Sequence, residues 1–209
     1  MKVAISVLVF FLFQLPYHIA GNNDIKPWLN PLEPAPTPKP WPEIFRAALM
    51  MNLTSTHLQH TGLFYNWPKG YKVSLNSHQL GDLVYQAEWN NGTTFFYKLS
   101  DLQCAVIDSG VGIPPPDHLK NAHYLGKVVT NGFTCNLWEN EGFIRYYEDV
   151  VTKQPVRWDY HNGITSHVME FVVGDVLEDS IVQAPAFCFK KPKALDENVV
   201  SAYDSLNIA

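Results

Sequence analysis

Little in this chain of 209 residues leads directly from sequence to reaction. There is no G-x-S-x-G elbow and no Gly-rich phosphate loop, which removes the hydrolases and nucleotide binders built on them. An Asp-x-Asp triplet and an α/β nucleotide-binding pattern, usual in nucleotide-sugar transferases, are also missing. Basic residues are outnumbered, 15 Lys and Arg against 20 Asp and Glu. The positive stripe that nucleic acid selects is therefore absent, and so is charge-driven attraction to a membrane surface. Beyond the first 20 residues no apolar run approaches spanning length, so no transmembrane anchor is expected once a leader is removed. Cysteine is reduced to Cys104, Cys135 and Cys188, an odd number that leaves one over in an oxidising compartment.

The N-terminus reads as a signal peptide over 1–21. Lys2 supplies the positive start, Val3 to Leu15 is apolar apart from Ser6 and Gln14, and Ala20 and Gly21 offer a cleavage point. About 189 residues then remain, enough for one domain with a real core. The expected destination is outside the cell, in the wall or in the vacuole. Two sequons fit that route, at Asn52 and Asn91, the latter on an expected hairpin tip. Residues 22–42 hold seven prolines, which fix φ and remove donors, so the stretch reads as an extended linker without a core. Residues 190–209 read as a polar tail.

Between these ends, over 43–189, hairpin signals recur at Asn90-Asn91-Gly92, Asn131-Gly132, Asn140-Glu141-Gly142 and Asn162-Gly163. The intervening residues alternate as half-buried strands do. Leu83, Tyr85, Ala87 and Trp89 share a face, as do His167, Met169, Phe171 and Val173. Strands are expected over 44–53, 58–67, 71–77, 82–89, 93–99, 102–108, 125–130, 132–139, 143–150, 154–160 and 164–174. A short helix is expected over 117–122, after Ile113-Pro-Pro-Pro116. The class is all-β, an antiparallel meander.

Chemistry-bearing residues are sparse. His57 and His60 resemble half a metal site, but on a strand their spacing turns the rings to opposite sides, and no third ligand is near. His118 and His123 flank the expected helix and read as surface residues. Neither a metal nor a cofactor is implied. Glu148-Asp149 and Glu178-Asp179 are neighbours on the chain, and a catalytic pair must converge across a cleft. Of three possible cysteine pairings, Cys104–Cys135 is favoured, since both lie in successive meander segments. Aromatics carry the stronger signal. Core packing explains many of them, and a pocket for an apolar molecule is the functional alternative. The candidate lining residues are Tyr85, Trp89, Phe95, Tyr97, Trp138, Tyr147, Trp158 and Phe171. A cavity of roughly 300 Å³ or more would support a carrier, and a filled core would count against it. A carbohydrate-active enzyme using Glu148, Asp149 and Asp159 is a second reading, and an extracellular interaction module without a pocket is a third.

Several segments together resemble a family of small secreted plant proteins. They include Leu63-Phe-Tyr-Asn-Trp-Pro68, Glu88-Trp-Asn-Asn-Gly-Thr93, Gly132-Phe-Thr-Cys-Asn-Leu-Trp138, Pro155-Val-Arg-Trp158 and Gln183-Ala-Pro-Ala-Phe-Cys-Phe189. Members often carry the label "transferase, transferring glycosyl groups", although no catalytic residue carries over to this chain. A more distant likeness, in the order of Cys104, Trp138, Pro155-Val156 and Pro185 to Cys188, is to the ependymin-related proteins. That likeness implies a curved antiparallel half-barrel, here of ten or eleven strands with one or two short helices. It also implies a concave face that holds an apolar ligand, hence a secreted, non-catalytic lipid-binding glycoprotein.

Overall fold

A computed structural model describes Trp28 and residues 34–53, 57–78 and 83–190. The expected signal peptide, most of the linker and nearly all of the tail lie outside these residues. Eleven strands follow in order: β1 (Ile44–Leu53), β2 (His57–Asn66), β3 (Tyr71–His78), β4 (Leu83–Trp89), β5 (Thr93–Lys98), β6 (Gln103–Asp108), β7 (His123–Thr130), β8 (Phe133–Asn140), β9 (Ile144–Asp149), β10 (Pro155–Tyr160) and β11 (Thr165–Val173). Each lies within a residue or two of its expected place. The Asn131-Gly132 turn works as its chemistry requires, with φ of 51° and 81° reversing β7 into β8.

All pairings are antiparallel, and one sheet results, in the order β6-β5-β4-β3-β2-β1-β11-β10-β9-β8-β7. Two meanders, β1–β6 and β7–β11, are joined where β1 meets β11. The sheet is curved and unclosed, a half-barrel, so β6 and β7 are opposite edges. Residues 109–122 must cross from one edge to the other, and they form a strap over the concave face. Tyr65 donates its hydroxyl to the Pro114 carbonyl at 2.8 Å, the Trp41 backbone N–H binds the Pro116 carbonyl, and the Asn140 amide donates to the His118 carbonyl.

Three bulges fall in the second meander. Leu125, Val156 and Met169 each stand as an extra residue against their partner strands. Such insertions bend a strand and strengthen its twist. The bulge at Met169 also breaks the alternation expected for β11. His167 faces outward with its Nδ1 hydrogen-bonded to the Asn131 side-chain amide, whereas Phe171 turns inward to lie 4.8 Å from Phe45.

Three further expectations are corrected. The helix over 117–122 is a chain of turns, with N–H groups of His118, Lys120 and Ala122 each bonding three residues back. The carbonyls of Pro116 and His118 are taken by Trp41 and Asn140, so they are lost to a helical ladder. The Pro-rich linker does not stay outside the core. Trp41 sits in the middle of the concave cluster, and Trp28 pairs with Lys127 on the β7 edge. Finally, Cys104 pairs with Cys188, and Cys135 is a buried free thiol. Successive meander segments are not neighbours here, because the chain jumps from one sheet edge to the other between β6 and β7. The short helix α1 (Asp179–Val182) and a 3-10 turn (Ala186–Phe189) bring Cys188 back against β6 instead.

Candidate functional site

The register assigns the two faces. Across the first meander the concave face carries Phe45, Tyr65, Lys72, Glu88 and Thr94 in one row, and Ala47, Leu63, Ser74, Gln86 and Phe96 in the next. Across the second meander, Met51, Ser166, Trp158, Tyr146, Trp138 and Tyr124 continue one row. One half of the concavity is therefore aromatic and the other is polar. Trp41 fills the middle, its ring 5.8 Å from Trp158 and 6.0 Å from Tyr65.

Between these halves lies a cavity of about 70 Å³, with Trp41, Leu49, Met51, Leu63 and Trp158 on its apolar side. Its polar side holds Lys72, Glu88, Gln86, Ser74, Asn76 and Thr61, and the strap residues Ser109 to Pro114 lie across it. Lys72 Nζ is 2.8 Å from Glu88 Oε1, which also accepts from Gln86 at 3.0 Å. Burial pushes the Lys72 ammonium down, but Glu88 and Tyr160 outweigh it and hold its pKa above the ordinary lysine value. Gln59 and Thr61 both donate to Asn76 Oδ1, at 2.8 and 2.9 Å. The Asn76 amide nitrogen is buried beside the cavity with no hydrogen-bond partner. His118, on the strap, packs edge-on to Trp41 at 4.4 Å, and burial pushes its pKa down to about 4.

The eight aromatic candidates divide between the faces. Trp138, Trp158 and Phe171 lie on the concave side, and only Trp158 borders the cavity. Tyr85, Trp89, Phe95 and Tyr97 lie on the outer face, under the 177–188 segment that the disulfide fastens down. Tyr147 is also outward, beneath the Arg157 guanidinium, and donates to Asp159 at 3.0 Å. The three acid candidates do not converge. Asp159 pairs with Arg157 on the outer face, and Asp149 closes a turn by accepting from the Thr152 N–H and hydroxyl. Glu148 is buried, and burial raises its pKa against the opposing backbone N–H of Lys39. The sequon residues Asn52 and Asn91 are both exposed.

Sequence reasoning missed Trp41, concealed among prolines, and the polar wall on β3 and β4. The signal was present. Lys72, Ser74 and Asn76 alternate with Tyr71, Val73 and Leu75, and such a polar face reads as solvent unless curvature encloses it.

Among solved structures, an uncharacterized conserved protein from Thermus thermophilus is similar, with a TM-score of 0.50 at 10% identity over 73% of this chain and 89% of that one. MucB matches with a TM-score of 0.39 at 13% identity, over 69% of this chain and 58% of its own. PNGF-II gives 0.36 at 7%, over 78% and 32%. The first of these likenesses speaks to the fold alone. No curated protein matches the chain. The sequence profile of one family does match, over residues 40–188, the whole half-barrel with its disulfide. The chain belongs to that family, DUF8395, a domain of unknown function.

Proposed function

We propose that this protein is a secreted, non-catalytic glycoprotein that takes up a small molecule with an apolar body in the concavity of its half-barrel. The observation that carries this reading is the two-sided cavity under the strap, where an apolar wall faces buried and incompletely satisfied polar groups. An unpaired amide such as Asn76 Nδ2 is costly in a filled core and useful in a binding site. A disulfide and two exposed sequon asparagines suit the secretory route. Among the described residues no helix is long and apolar enough to cross a membrane.

At about 70 Å³ the cavity falls below the roughly 300 Å³ of ordinary small-molecule sites and has room for a few waters. Uptake of anything larger requires Ser109–Pro114 to lift. On the outer face, Tyr85, Trp89, Phe95 and Tyr97 are kept from this role by the 177–188 segment that covers them.

Mass spectrometry of the protein secreted from eukaryotic cells, first native and then denatured, tests the reading. A noncovalent adduct is expected that leaves on denaturation. It should be absent from Ser74→Leu, which fills the cavity from its polar wall. No adduct on a glycosylated, disulfide-bonded protein would overturn the carrier reading.

A further inference from the structure

Resting on that reading, we infer that the ligand presents an uncharged hydrogen-bond acceptor, a ketone, ester, amide or alcohol oxygen, to the polar wall. Lys72 and Glu88 are the only charged side chains bordering the cavity among its described lining. They neutralise one another at 2.8 Å, and both are largely buried. A ligand carboxylate that takes a second Lys72 donor leaves one ammonium facing two carboxylates, so the site holds an uncompensated buried negative charge. A ligand ammonium meets the mirror problem. Either outcome carries the heavy penalty of an unpaired ion in a low-dielectric site.

A neutral acceptor disturbs nothing. The Asn76 amide nitrogen has no partner, and Lys72 has three donors of which Glu88 takes one. The Asn76 oxygen accepts from both Gln59 and Thr61, an orientation that leaves its nitrogen for the ligand. The wall therefore offers fixed N–H donors with no net charge. The Trp41, Leu63 and Trp158 side stands opposite for the ligand's apolar part.

Four six-carbon molecules of one body separate the possibilities: 2-hexanone, 1-hexanol, hexanoate and hexylamine, each titrated at neutral pH into the ¹⁵N-labelled full-length secreted protein. The readout is movement of the Trp41 and Trp158 indole N–H signals, which report from the cavity itself. The ketone and alcohol are expected to bind at least about tenfold tighter than either ion. Glu88→Gln, which frees Lys72 of its partner, should reverse the order in favour of hexanoate. If that variant fails to fold, the ranking in the unmodified protein decides alone. Hexanoate or hexylamine binding as tightly as the ketone would overturn the inference, as would an unchanged order in a folded Glu88→Gln. If none of the four moves these signals while a native adduct is found, the head-group inference falls and the carrier reading stands. With no adduct either, both fall.

Discussion

At the scale of single residues, the buried polar groups carry more information than the aromatics. Glu148 shows what such a group costs. Below the ordinary glutamate pKa of 4.5 it is protonated in both folded and unfolded chains and contributes nothing. As pH rises past that value the unfolded chain ionises first, because burial holds the folded pKa higher, so stability falls. Glu148→Gln keeps an acceptor for the Lys39 N–H and removes that penalty. Its melting temperature should exceed that of the unmodified protein at neutral pH, with the gain gone by about pH 4. A gain independent of pH would show that packing, and not ionisation, was responsible. Cys135 is the converse case, a thiol whose burial, with Asp149 and Glu148 nearby, pushes its pKa up to about 12 and leaves it inert.

At the scale of elements, the strap decides access to the concavity. It is fastened from within by Tyr65, Trp41 and Asn140, and from beside by a close approach at Gly112. A Cβ added there would lie 2.7 Å from the Asn90 carbonyl oxygen, a backbone atom with no freedom to withdraw. Gly112→Ala must push the strap away from the β4–β5 turn. It is expected to cost roughly 1–3 kcal/mol in chemical denaturation, the range for overpacking, and to speed exchange of ligand. Unchanged stability would show that the strap already moves freely. The strands themselves were legible, since Asn-Gly turns and period-2 patterning are local properties. The strap's turns were not, because their carbonyls are claimed by Trp41 and Asn140 from distant parts of the chain.

At the scale of the whole molecule, the half-barrel has a core on each face. The concave core is crossed by the strap, and the outer cluster on β3 to β6 is roofed by residues 177–188 through the Cys104–Cys188 bond. That bond closes a sequence separation of 84 residues, so the unfolded chain loses much freedom by it. Cys188→Ser should destabilise the protein by about 2–4 kcal/mol. It should also expose Tyr85, Phe95 and Tyr97, read as increased binding of a hydrophobic dye. Without reductant the unmodified protein should yield one thiol on denaturation and none when native, and any other count would contradict the pairing. The sequence by itself determined the strands, their turns and the antiparallel class, because those follow from neighbours a few residues apart. Only the tertiary structure decided which face is concave, which aromatics line it and which cysteines meet. Alternation sorts side chains into two sets without saying which set curvature will enclose. The jump from one sheet edge to the other separates Cys104 from Cys135 and brings Trp41, Lys72, Glu88 and Trp158 around one cavity.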